Sequence, residues 1–114
     1  MSILEETKTL LKPLGYPIET GVFKNKPRDT YIVFVPLADS YPISADDMPL
    51  ADVQELRISL FTKGNYLQVK NKITKQLLGN DYCITDRRYN GYDTDTGYHQ
   101  YVVDVEKNYE MEET

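Results

Sequence analysis

Six consecutive residues, Thr30-Tyr31-Ile32-Val33-Phe34-Val35, constrain the fold more than any other stretch. They are β-branched or aromatic and apolar on both sides of a pleat, which places them in a central strand with both faces covered. Ala51 to Thr62 reads differently. Leu56, Ile58 and Leu60 alternate with Glu55, Arg57 and Ser59, the period of a strand with one covered face and one polar face. The chain therefore needs a sheet and something apolar to lay on one side of it.

Two amphipathic segments supply that cover. Ser2-Ile3-Leu4-Glu5 has the form of a capping box, and Ile3, Leu4, Thr7, Leu10 and Leu11 follow at helical spacing. Pro13 disfavours helical geometry at Lys12 and Gly15 supplies a stop, which predicts a helix over residues 2–12. Farther on, Gly64-Asn65 breaks the alternating strand and Asn65 caps a second helix with a stripe of Tyr66, Val69, Ile73 and Leu77, closed by Gly79-Asn80. Pro17 to Val22 reads as a short strand and Lys24-Asn25-Lys26-Pro27 as a turn. Asp81–Arg87 and Tyr98–Glu106 form a final hairpin with Tyr101, Val103 and Val105 on one face.

The expected order is α-β-β-β-α-β-β, an α+β domain over residues 1–107. Its mostly antiparallel sheet has four to five strands, with two helices packed on one face. Residues 38–50, with two prolines and three aspartates, are expected to protrude as an arm, because proline is tolerated only at strand edges. Residues 108–114 are expected to fray as an acidic tail.

Composition narrows the function. The 114 residues suffice for one core, and 40% apolar with 27% charged residues is ordinary for a folded domain. No apolar stretch reaches the ~20 residues that cross a bilayer, and the acidic N-terminus is unlike a signal peptide. A net charge of -5 argues against nucleic acid as partner. The single cysteine, Cys83, admits no internal disulfide and suits a reducing compartment. Charge is also segregated. From Pro36 to Leu56 there are acids (Asp39, Asp46, Asp47, Asp52, Glu55) and no Lys or Arg. From Thr62 to Asn80 there are only Lys63, Lys70, Lys72 and Lys75.

Chemistry-bearing patterns are few. Asp93-Thr94-Asp95-Thr96-Gly97 has its glycine one place too early for a helix–loop–helix calcium site and lacks the closing Glu, so it is expected to turn the chain. Asn90-Gly91 is a competing turn, and the loop can span both. His99 opens a strand on the face of Tyr101 and Val103, where a partly buried, hydrogen-bonded histidine is the plain expectation. Cys83 is expected roughly ten residues, or ~30 Å, away from His99 along the hairpin, too far for a Cys–His pair, and is read as a small buried apolar side chain. Adjacent Asp46-Asp47 point opposite ways in an extended arm and read as solvated. No glycine-rich phosphate cradle, His-x-x-x-His, Cys-x-x-Cys or Gly-x-Ser-x-Gly pattern occurs. Catalytic, metal and cofactor residues are therefore all expected to be none. Ten tyrosines against three phenylalanines favour an interaction protein.

The Tyr31-to-Leu37 strand, Ser44-Ala45-Asp46-Asp47-Met48-Pro49-Leu50, Leu60-Phe61-Thr62-Lys63-Gly64-Asn65-Tyr66 and Asp95-Thr96-Gly97-Tyr98-His99 together carry a family likeness. The chain resembles, over residues 2–107, the tail terminator or tail completion proteins of long-tailed bacteriophages, both lambda-like and from Gram-positive phages and prophages. The resemblance implies a structural virion protein of the tail–neck region, made in the bacterial cytoplasm. It implies a hexameric ring that ends tube polymerisation and meets the head connector or head completion protein. The tube protein and further copies of the chain are the implied partners, without cofactor, nucleic-acid specificity or membrane.

A ring needs two different, complementary patches per subunit. Lys70, Lys72 and Lys75 on the second helix and Asp39, Tyr41, Asp46, Asp47 and Asp52 on the arm are the expected pair. Arg57 with its polar sheet face, and a loop near Arg87, Arg88 and Tyr92, are expected to face the tube. The alternatives are a neighbouring head–tail joining protein or a non-viral α+β binding module. A small enzyme working through Asp46/Asp47 or His99 is the third class.

Overall fold

In a computed structural model, which describes residues 2–21, 29–40 and 51–110, the chain is an α+β fold in the expected element order. Helix α1 (Ile3–Leu11) leads through a 3-10 turn (Lys12–Leu14) to strand β1 (Ile18–Thr20). Strands β2 (Thr30–Ser40) and β3 (Ala51–Thr62), helix α2 (Tyr66–Leu78), and strands β4 (Cys83–Tyr92) and β5 (His99–Glu110) follow. The five strands form one sheet in the order β1-β2-β3-β5-β4. All neighbours are antiparallel except β1 and β2, which run parallel over Ile18–Thr20.

Both helices start where capping chemistry places them. The Ser2 hydroxyl accepts from the Glu5 amide at 3.2 Å and donates to the Glu5 carboxylate at 3.3 Å, so the reciprocal contact returns to the hydroxyl. Asn65 caps α2 by accepting from the Leu67 amide at 3.1 Å. At the far end of α2 the left-handed residue is Asp81 (φ 65°), whereas Gly79 stays right-handed.

One face of the sheet carries the main core. Ile32, Phe34, Leu56, Ile58, Leu60, Val103 and Val105 meet Ile3 and Leu11 of α1 and Val69, Ile73 and Leu77 of α2. Full burial of each such side chain stabilises by about 1.5–3 kcal/mol before conformational entropy is counted. The other face is not uniformly polar. Tyr31, Val33 and Tyr98 form a second buried cluster there, flanked by Val35 and Phe61, and Ser59 is buried beside it. The doubly apolar sequence of β2 thus reports real cover on both sides, while the alternation of β3 understates what its second face packs against.

Three boundaries differ from the sequence reading. β2 continues through Pro36 to Ser40 and pairs with β3 as far as Val53, so the root of the arm is paired sheet with a bulge at Leu37. Pro36 is tolerated because β1 reaches only Phe34; the position without an N–H falls beyond β1's cover. β5 runs to Glu110 and pairs with Ala51, so residues 108–110 are strand rather than frayed tail. Asn90-Gly91 lies inside β4 at a bulge and makes no turn, and a second bulge falls at Thr85. These bulges put ten β4 residues opposite eight of β5, which brings Cys83 opposite Glu106. Seven steps, roughly 23 Å, then separate Cys83 from the level of His99, fewer than the ten expected.

Candidate interaction surface

The β4–β5 turn is built by Asp93. Its carboxylate accepts from the amides of Asp95 (2.9 Å) and Thr96 (3.4 Å), and its carbonyl accepts from Gly97 at 2.7 Å. Gly97 takes φ 82°, the left-handed conformation the sequence requires of it. The aspartates here turn the chain. Among the described residues no cluster of His, Cys, Asp and Glu has the makings of a metal site.

Around that turn the aromatic residues gather. His99 Nδ1 is hydrogen-bonded to the Tyr89 hydroxyl at 2.8 Å, and its ring lies 4.6 Å from that of Tyr92 and 5.6 Å from that of Tyr66. Tyr66 stacks in turn on Tyr101 at 5.9 Å. On the opposite face Tyr31 stacks on Phe61 at 4.7 Å and meets Tyr98 edge-on at 5.2 Å, with Lys63 Nζ 5.0 Å above the Tyr98 ring. Burial and the neighbouring Tyr98 push the Tyr31 phenol up from its ordinary value. A groove of about 250 Å³, lined by Tyr31, Phe61, Asn90, Tyr92, Tyr98 and Gln100, opens at this end. The two stretches with the most specific family likeness, Leu60–Tyr66 and Asp95–His99, meet here, since Thr62 pairs with His99 across the sheet.

The remaining candidates separate into groups. Arg57 makes two hydrogen bonds to Asp104, at 2.9 and 3.1 Å, and that contact, ahead of the opposing effect of desolvation, raises its pKa. Arg88 pairs with Asp86 and lies 3.9 Å from Asp104, so both arginines serve one carboxylate on the face away from the helices. Asp104 was not a candidate, yet it is the hub. Its place between Val103 and Val105 in an alternating strand was the available signal, because that parity puts it on the face of Arg57. Arg87 stands opposite Val103, on the helix-bearing face, so Arg87 and Arg88 diverge. Together with Tyr92, which is 53% exposed, they sit on β4 rather than on a loop. Cys83 is exposed, not buried: its strand is the sheet's edge.

On α2, Lys72 and Lys75 are exposed, while Lys70 lies with Nζ 5.3 Å above the Tyr101 ring. Asp39 is exposed at the arm's root. Asp52, across from Tyr109, accepts from Gln54 Nε2 at 2.8 Å with one oxygen, and its other oxygen is buried without a partner. Tyr41, Asp46 and Asp47 lie outside the described residues. Among the described residues no ion pair joins the α2 lysines to the arm's acids. Leu37 and Tyr89, 40% and 43% exposed, were missed because a strand's pattern does not say which strand lies at the edge. No helix among the described residues is long and apolar enough to cross a membrane.

Compared with protein-family models and with curated proteins, the sequence matches none.

Proposed function

We propose that this chain caps a phage tail tube, ends its polymerisation and contributes to the head–tail junction as a ring of identical subunits. The observation that carries the reading is the convergence of the two most specific family-like stretches on one end of the molecule. Separated by about thirty residues in sequence, they bring aromatic side chains to both faces of the sheet at that end, which suits an end-on docking rim. The reading needs no bond to be made or broken. His99, the chain's one histidine, is hydrogen-bonded to Tyr89 and ringed by tyrosines.

Ring closure is assigned to the lysines of α2 and the acids of the arm, two patches of opposite charge at different places in the sequence, as a head-to-tail contact needs. Such rim charges set orientation and encounter rate more than affinity. Lys70→Glu with Lys72→Glu is expected to weaken assembly, and reversal of Asp46 and Asp47 to restore it in part. Sedimentation of the variants checks this, and unchanged assembly of the lysine double variant contradicts the electrostatic part.

Deleting the gene and imaging the tails tests the role itself. Overlong or headless tails are expected, with normal tails restored by the wild-type chain and equally by His99→Ala. Normal tails after deletion contradict capping, and failure of His99→Ala alone with folding intact points instead to chemistry at that residue.

A further inference from the structure

The sheet ends in two edges of different chemistry. β4 is the outermost strand on one side. On the other side β1 covers only Ile32–Phe34, and no described strand pairs with the outer edge of β2, the edge away from β3, from Val35 to Ser40. Each edge shows large apolar side chains to solvent, Leu37 on β2 and Tyr89 and Tyr92 on β4. Each carries exposed charge of opposite sign two residues away: Asp39 beyond Leu37, and Arg87 before Tyr89. An unpaired edge is a template for another strand unless it is blunted.

The geometry points to these two edges as a heterologous contact between copies of this chain, with β4 of one subunit pairing antiparallel to the Val35–Ser40 edge of the next. This deepens the capping proposal and rests on its head-to-tail self-association. Polarity follows from the sheet: β2 and β4 run in opposite senses, so subunits repeated with the same orientation bring them together antiparallel. Register follows from the chemistry. Asp39 set against Arg87 fixes the register, while Leu37, the extra residue at the β2 bulge between Pro36 and Ala38, adds apolar area without a defined cross-strand partner. The β4 bulges at Thr85 and Asn90 leave Asp86–Tyr89 as the regular segment, and Arg87 falls inside it. Pro36 offers no N–H, and with the bulges it keeps either edge from accepting an arbitrary strand. α2 packs over β4 and β5, and the arm continues from β2. The same contact therefore brings Asp39, at the root of one subunit's arm, to the edge over which its neighbour's α2 packs.

Disulfide trapping tests the register. Directly opposed residues of antiparallel strands have Cα atoms ~4.5–5.5 Å apart, within disulfide reach. Asp39→Cys with Arg87→Cys, in a Cys83→Ser chain, is expected to give a ladder of linked multimers on mild oxidation. The samples are the purified chain and lysates in which tails assemble. Asp39→Cys alone, retaining the native Cys83 four residues from the matching position, is expected to give none. A ladder from the second variant but not the first overturns the register, and no ladder from the first in either sample overturns the contact. Tail imaging after deletion separates the two readings. Overlong tails without a ladder leave capping standing and remove the edge contact, whereas a ladder with normal tails does the reverse.

Discussion

Gly97 shows how much one residue can decide. It takes a positive φ in the turn that Asp93 organises, and a Cβ built there meets nothing nearer than 3.9 Å, so space is not the constraint. Gly97→Ala is therefore expected to cost about 1 kcal/mol through backbone strain alone. Chemical denaturation checks this, and a loss under a few tenths of a kcal/mol contradicts the turn as described. Residue-level features such as this one and the Asn65 cap were legible in the sequence because they depend on neighbours two or three positions away. The exposure of Cys83 was not. An apolar-looking residue at a strand's start is buried or exposed according to whether another strand lies beyond it, and β4 has none in the described sheet.

At the scale of elements, α1 is tied to the end of the sheet by a polar cluster. The Tyr82 and Thr7 hydroxyls share a hydrogen bond of 2.8 Å, and Lys107 pairs with Glu6 while lying 4.6 Å above the Tyr82 ring. Burial, partly offset by the Thr7 bond, pushes the Tyr82 phenol up to about 12. Burial raises Tyr109 as well. A folded pKa above the unfolded value means that the folded state holds its proton longer. The contribution is complete below pH ~10 and lost as pH climbs through the folded value. Unfolding monitored between pH 9 and 12 is expected to show falling stability. Tyr82→Phe should flatten that fall while costing about 1 kcal/mol at neutral pH through the lost bond. An unchanged alkaline profile in Tyr82→Phe contradicts this account. The helices and the strands β2, β3 and β5 were readable from their 3.6- and 2-residue periods. The bulges of β4 and the extra length of β2 and β5 were not, because they express a partner strand's register rather than any local pattern.

As a whole the molecule is elongated, 53 × 24 × 24 Å, with a radius of gyration of 15.5 Å where a chain of this length averages about 13 Å. Long strands that overrun the helices produce that shape, and it suits a subunit that touches neighbours along its sides and a tube at its end. The α+β architecture followed from the sequence, since apolar periodicity fixes which faces must be covered. The surface reading did not follow as directly. Arg57, Arg88 and Lys70 are engaged within the chain by Asp104, Asp86 and Tyr101, which a list of charged residues cannot reveal. Lys72, Lys75, Asp39 and Arg87 remain exposed. The most direct measurement is the position of the chain on isolated tails, by gold labelling of a tagged copy under the electron microscope. The account expects label at one end only, the end that joins the head. Label spread along the tube, at the distal tip, or absent from tails altogether would contradict it.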